Sequence, residues 1–473
     1  MKRRQFLQYS ALTAAGFTVA ACTSQGSTHF NAPPANFGKL EKTDLKIGIV
    51  SSLDCLPLVV AKEKGMFKKY GLDVTLVKQP TWEQVQQELH SGKLDAVQTL
   101  FAMPLWEYFS SKNSKSRAQS QSEDEESDGE KKKNKDRDKD KNKTKGNANT
   151  VALMGLNING NSISFGEAAW KGGLRPRQAY NTVNELQDGY NKFFRELKKP
   201  PRFAISHPAA MANYTTRYWL GTMGIDAERD LKFQVLAADE ITAGLDSNSI
   251  IGYATDELFN QKTIASKKAF TATLDRDVWR GHPEKILATL DTWLKDYPTT
   301  AKAMMAAVLE ACQYCDNQEN VTALAPILGK SEYTDAGSNK GWQKILSGNY
   351  NYGGFDRIPE VVKVPDFQIF HFQQTKYLQQ PNHANFLWHS HAVWVLTQMV
   401  RWHQQQLTNY PKNGDAVIKQ LYPTEAYADV AKAFWLNMPN GQLKIEQPEM
   451  FIDRIAFDPN KPMEYLNGFE LRA

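Results

Sequence analysis

Four places in this chain combine residue types and spacings that could do chemistry. The first is Val19-Ala20-Ala21-Cys22, where small residues lead into a cysteine after the apolar run Tyr9 to Ala21. That pattern resembles a lipobox, at which a signal peptidase cuts and the cysteine thiol becomes diacylated. Arg3-Arg4, followed by Phe6 and Leu7, resembles a twin-arginine export signal ahead of it. The second place is Cys312-Gln313-Tyr314-Cys315, with the C-x-x-C spacing of a redox dithiol or of half a zinc site. No second pair accompanies it, so structural zinc is not expected. Ala301, Met305, Val308, Leu309 and Cys312 fall on one face of a helical pattern, which makes Cys312 a core residue. The third, His389-Ser390-His391, would put two imidazoles on one face of a strand. No third ligand is identifiable, and Ser390 reads equally as a helix cap. In the fourth, Asp136, Asp138, Asp140 and Asn142 alternate as in a calcium loop, but the central glycine and terminal glutamate are missing. No Ser/His/Asp or Cys/His constellation and no phosphate-binding loop stands out, so neither an enzyme nor an ATPase is expected and no cofactor is implied.

These residues need elements to hold them. A length of 473 residues accommodates two lobes, each with its own core. A net charge of +5 is small for that length and gives no argument for nucleic-acid binding. After a Ser/Gly/Pro-rich tether over 22–44, Leu45 to Val50 reads as a strand, Leu56 to Tyr70 as a helix closed by Gly71, and Asp73 to Val77 as a strand. Trp82 to His90 reads as a helix and Leu94 to Leu100 as a strand. Strand and helix alternating in this way predict a parallel sheet with crossover helices. Residues 110–150 break the pattern: Ser, Lys, Asp, Glu and Asn with almost no apolar side chain, a polyampholyte insert that cannot bury enough surface to offset its ordering entropy. Strands resume at Thr150 to Met154, Arg202 to Ile205, Leu231 to Leu236 and Ile250 to Ala254, with helices over Met211 to Thr222, Tyr297 to Cys315 and Ala384 to Gln406. Phe451 to Leu471 reads as loop whose aromatic residues pack back on the body.

The ordered series of segments then carries a resemblance. Lys46-Ile47-Gly48-Ile49 leads to Leu56-Pro57-Leu58-Val59-Val60-Ala61-Lys62-Glu63-Lys64-Gly65-Met66-Phe67. Asn157-Ile158-Asn159-Gly160-Asn161, Arg217-Tyr218-Trp219-Leu220, Trp279-Arg280-Gly281-His282-Pro283-Glu284-Lys285 and His391-Ala392-Val393-Trp394 come next, in order. From about Lys46 to the C-terminal end the chain is similar to the nitrate- and bicarbonate-binding lipoproteins of bacterial ABC transporters. The resemblance implies an α/β chain with a two-lobe type II periplasmic-binding fold and a ligand cleft between the lobes. Its boundaries are a signal peptide over 1–21, the tether over 22–44, lobe 1 over 45–155, lobe 2 over 156–270, and a return to lobe 1 with a C-terminal helical part over 271–473. It implies a small anion as ligand, nitrate or nitrite first and bicarbonate, cyanate or a sulfonate behind, with separate permease and ATPase subunits as partners and a lipid anchor on the periplasmic side. A sensor or adaptor that kept the fold is the alternative.

A planar anion needs hydrogen-bond donors converging from both lobes. Carried across from the family, Trp82 supplies an indole N–H, Asn161 an amide where glutamine is usual, and Arg280 the basic group. Thr255 and Asp256 stand where the family has a Gly-Glu-Pro-Trp-like turn, Ala212 where it has histidine, and Gln98 where it has another histidine. Each charge-assisted donor lost costs on the order of 1.5–3 kcal/mol. His207, five residues before Ala212, is the candidate replacement imidazole.

Overall fold

The computed structural model describes residues 35–113, 148–335, 341–356, 361–371 and 384–471. The signal peptide, Cys22, the calcium-like alternation at Asp136 to Asn142 and most of the polar insert lie outside these residues. Among the described residues eleven strands build two mixed sheets. β1 (Asp44–Val50), β2 (Asp73–Gln79), β3 (Ala96–Leu100), β4 (Thr150–Asn159) and β10 (Pro283–Leu290) belong to the first, while β5 (Asn161–Gly166), β6 (Arg202–Ile205), β7 (Lys232–Val235), β8 (Gly252–Asp256) and β9 (Ala269–Leu274) form the second. A short ribbon pairs β11 (Asn349–Asn351) with β12 (Val361–Lys363), and β13 (Gln368–Ile369) adds an edge to the first sheet. The orders are β13-β4-β10-β3-β1-β2 and β7-β6-β8-β5-β9.

The expectation of a parallel sheet holds for β1, which runs parallel to both β2 and β3. It fails for β10, which inserts antiparallel between β3 and β4. The cause is the return of the chain from the second sheet. Having left the first sheet through β4 and entered the second through β5, it comes back after β9 and arrives in the opposite sense. β4 is buried along all its residues, as a central strand covered on both faces must be.

The principal helices are α1 (Leu56–Glu63), α2 (Trp82–His90), α3 (Met211–Thr222), α4 (Glu257–Ala265), α5 (Pro298–Asp316) and α6 (His389–Arg401). α1 stops short of the sequence expectation because Gly65 adopts φ +70° and starts a separate turn at Met66–Lys69. α6 begins later than the apolar pattern suggests, since Asn385 spends its side-chain amide on the carbonyls of Gly155 and Phe370. The end of the expected tether is not free either. The Glu41 carboxylate accepts hydrogen bonds from the Thr299 and Thr300 backbone N–H groups and the Thr300 hydroxyl, capping the first turn of α5. At the insert's root, residues 110–113 continue a helix that begins at 103.

His389 and His391 lie on α6, not on a strand, and meet different partners: the Tyr422 carbonyl at 2.8 Å and the Glu446 carboxylate at 2.9 Å. Cys55, Cys312 and Cys315 are buried free thiols. Among the described residues no helix is long and apolar enough to cross a membrane, and no group of His, Cys, Asp and Glu could hold a metal ion.

Candidate functional site

The chain crosses between its sheets at two places, and these touch. β4 passes into β5 through Asn159 (φ 58°) and Gly160 (φ +106°). The return crosses at Gly281 (φ +80°), whose N–H donates to Asn159 Oδ1 at 2.8 Å. Asn159 in turn donates its side-chain N–H to the Asp366 carbonyl and its backbone N–H to the His282 carbonyl. Immediately beside this junction lies a buried ionic cluster.

Its centre is Lys285 on β10, in register with Leu100 of β3 and Asn157 of β4. The ammonium lies 2.7 Å from Glu284 Oε1 and 3.3 Å from Asp54 Oδ2, and 5.5 Å from the centre of the Trp82 ring, within cation–π range. Asp54 reaches it from the 3₁₀ turn Leu53–Cys55 that comes after β1, and its other oxygen accepts from Asn157 at 2.7 Å and Gln368 at 2.8 Å. Trp82 is the first residue of α2, and Thr81 caps that helix by accepting from the Gln84 N–H at 3.1 Å. Burial pulls against the charge on Lys285, yet the Asp54 and Glu284 carboxylates outweigh it and hold the ammonium protonated.

The second sheet supplies the facing groups. Asn161 opens β5 and sits in register opposite Asp256 at the end of β8, with Ser162 opposite Thr255. Asn161 donates to Glu284 Oε1, linking the two sheets. Asp256 caps α4 by accepting from the Phe259 N–H at 3.1 Å, and the Thr255 hydroxyl turns onto its carboxylate at 3.4 Å. Asp275, directly after β9, accepts from Thr215 of α3 at 2.9 Å. Burial raises these acids: Asp256 to about 6, Glu257 and Glu284 to about 7, and Asp275 to about 8, the last also pushed by the charge of Glu284. Burial drives the His282 imidazole down to about 3, so it is neutral.

Trp82, Asn161, Asp256 and Thr255, all singled out by sequence, therefore come to one junction. Arg280 is held differently. Its backbone N–H donates to the Met450 carbonyl and its Nε lies 3.6 Å from Asp366, a carboxylate it shares with Arg276. The basic group facing Trp82 is Lys285. His207 accepts the Ala209 N–H on Nδ1 and turns Nε2 toward Glu83 at 3.6 Å, while its ring packs edge-on to Trp106. Burial lowers its pKa despite Glu83. Gln98 braces β3 to β1, accepting from the Val50 N–H and donating to Ser52, both at 3.0 Å. Sequence reasoning did not single out Asp54, Asp275, Glu284 or Lys285. The last two sit inside a segment already quoted for its resemblance, so the signal was present, but its basic position was assigned to Arg280.

The NMT1-like family model matches residues 38–114 and 141–329, more than half of the chain. The chain belongs to the NMT1-like family. Among relatives, the NMT1-like chain is 26% identical over 494 residues to the nitrate/nitrite binding protein NrtA of Nostoc, covering 100% of this chain and 99% of that one. It is 27% identical to the nitrate import ATP-binding protein NrtC of Synechocystis and 26% identical to the bicarbonate transport ATP-binding protein CmpC of Synechococcus elongatus, over 91% of this chain in both cases. It spans only 56% of the length of each of those two. Its fold matches the periplasmic nitrate-binding protein NrtA from Synechocystis with a TM-score of 0.71 at 23% identity, over 92% of this chain and 100% of that one. The ligand-binding component of an ABC-type import system from Staphylococcus aureus matches at 0.51 and 14% identity, over 80% and 99%. This NMT1-like chain is thus a two-lobe periplasmic-binding fold, with the Lys285 cluster where the lobes meet.

Proposed function

We propose that the protein is the substrate-binding component of an ABC importer, a carrier and not a catalyst. In this reading it is exported, cut before Cys22 and tethered there by lipid, and it passes a small solute to separate permease and ATPase subunits. The names of its relatives put nitrate or nitrite first among solutes, then bicarbonate; cyanate and aliphatic sulfonates stay as the alternatives the sequence resemblance implies. The observation that supports a binding role most directly is the junction itself. Lys285 of one sheet, with Trp82 and Asp54 beside it, meets Asn161 and Asp256 of the other, so a solute held there would report on the closure of both lobes.

Calorimetric titration of the full chain with nitrate, nitrite, bicarbonate and an aliphatic sulfonate tests the reading. A solute bound at this junction loses more than tenfold in affinity in Trp82→Ala, because the indole covers the Lys285 ammonium. An Arg280→Ala variant retains binding, since that side chain faces Asp366. Saturable binding unaffected by Trp82→Ala would place the site elsewhere, and a chain that binds no solute would favour the sensor or adaptor alternative.

A further inference from the structure

Away from the solute site, we infer that the loop following α7 (Glu425–Ala433) is a bilayer-contacting face, on which Trp435, Leu443 and Ile445 enter the headgroup region of the membrane that holds the tether. The inference rests on the proposed reading for its lipid anchor alone. Trp435 is 87% exposed, Leu443 45% and Ile445 50%. The tryptophan also stands where the backbone favours glycine. The Leu436 N–H returns to the Ala431 carbonyl at 2.9 Å and the Trp435 N–H to that of Lys432 at 3.1 Å, the two bonds of a Schellman stop. Trp435 thereby takes the left-handed position, at φ 56°. A large ring carried there and left in solvent gains nothing from packing, so its use lies outside the fold.

Leu443 and Ile445 share a face. Gln442 donates to the Thr424 hydroxyl at 2.6 Å, and Lys444 turns inward, its ammonium 2.8 Å from Glu446 and over the Trp388 ring. Burial alternates along this stretch, which leaves the two aliphatic side chains outward. From 430 to 445 the chain carries Lys432 and Lys444 and no carboxylate. Apolar side chains with a tryptophan, flanked by lysine alone, match an anionic membrane surface, where an indole buries its ring and keeps its N–H wet.

Position points to the same occupant. Asp429 of α7 meets Lys302 on α5 at 2.5 Å, and the tether root, Glu41, caps that same end of α5 at Thr299 and Thr300. Trp435 lies six residues beyond Asp429, about 9 Å at helical rise. Glu41 is 19 positions after Cys22, so the lipid and the tether root are never more than about 65 Å apart. A face held this close meets the bilayer at high effective concentration, and a few side chains suffice to fix which side of the body rests on it.

The test captures the full chain, through an N-terminal histidine tag on nickel-chelating lipid, on vesicles of phosphatidylcholine and phosphatidylglycerol in equal parts. Amides of 437–445 should exchange hydrogen at least about threefold more slowly on vesicles than in buffer. Trp435→Ser should abolish that protection while leaving near-ultraviolet circular dichroism and solute titration unchanged. Leu443→Ser combined with Ile445→Ser should do the same without touching the left-handed turn. Unchanged exchange on vesicles overturns the inference. So does protection that grows with chain concentration in buffer, which would make the face a contact between copies, or protection that requires permease in the membrane, which would make it a protein-docking face. Calorimetric titration reads the importer proposal separately, and the intact mass of chain extracted from membranes reads the anchor, so each fails alone.

Discussion

At neutral pH Asp275 is a neutral carboxylic acid, held protonated to about pH 8 by burial and by the nearby Glu284. That has a signed consequence for stability. Its folded pKa lies above its ordinary 3.8, so its contribution is fully present below about pH 4 and is lost as pH rises toward 8. Glu257 and Glu284 act in the same sense up to about 7, and Asp256 up to about 6. His282 and His391 are depressed by burial to about 3 and about 4, so they stabilise increasingly as pH rises, but only until the unfolded imidazoles lose their protons near 6.5. Between pH 7 and 8 the Asp275 window is still open. His90, raised by its hydrogen bond to Glu107, adds to the decline, so comparison with Asp275→Asn isolates the aspartate. The unfolding free energy of the wild type should fall over that interval by no more than about 1.4 kcal/mol per pH unit for this group, and Asp275→Asn should flatten the slope. Urea titrations at pH 7 and 8 decide it; equal slopes in both chains contradict the assignment. At this scale Trp82, Asn161 and Asp256 were picked out only by position in the family resemblance. Lys285 and Asp54 were hidden because their importance comes from burial and long-range pairing, which no local window contains.

At the scale of elements, the two crossovers control the geometry of the site. Asn159 occupies left-handed backbone, accepts from Gly281 and donates to Asp366. Asn159→Ala removes both side-chain bonds and places a Cβ-bearing residue without local support at positive φ. A loss of about 2–4 kcal/mol is expected, combining about 1 kcal/mol per hydrogen bond with the left-handed penalty. Chemical denaturation measures it, and a loss below about 1 kcal/mol would mean the crossovers hold without this tie. The elements legible in sequence were those with strong end signals or length. The helix at Trp82–His90 has its threonine cap and Ser91-Gly92 beyond its end, whereas Met211–Thr222, which no side chain caps, was legible from its length alone. β5, β9 and β10 escaped notice. Ser162-Ile163-Ser164-Phe165 and Phe270-Thr271-Ala272-Thr273-Leu274 do alternate, but over only four or five residues and with both faces buried, and Pro283–Leu290 opens on Pro283, Glu284 and Lys285, which read against a core strand. What settles them is pairing with neighbours distant in sequence.

Across the whole molecule, the C-terminal segment ties the return crossover to α3. Phe451 stacks on Trp279 and pairs with its backbone, next to the return crossover, while Asp453 and Tyr465 hydrogen-bond the Tyr218 hydroxyl on α3. The expectation that its aromatic residues pack back on the body is met, though 462–467 forms a helix where loop was expected. The buried thiols allow this body to be watched in solution. Cys55 adjoins Asp54 at the ionic cluster, Cys315 on α5 lies within reach of the Cys55 charge, and Cys312 on the same helix turns its thiol to the Leu156 carbonyl of β4. Burial pushes the Cys55 thiol up to about 12 and the other two well above their ordinary value, and only a thiolate attacks an alkylating reagent. Labelling at each therefore waits for its own surroundings to part. With iodoacetamide and peptide mass mapping, Cys55 should modify far more slowly in native buffer than in urea, and a bound solute should slow it further without changing Cys312. Native labelling of Cys55 at its denatured rate would contradict this. The sulfurs are built-in stopwatches, Cys55 timing the opening of the solute site and Cys312 the loosening of the scaffold behind it.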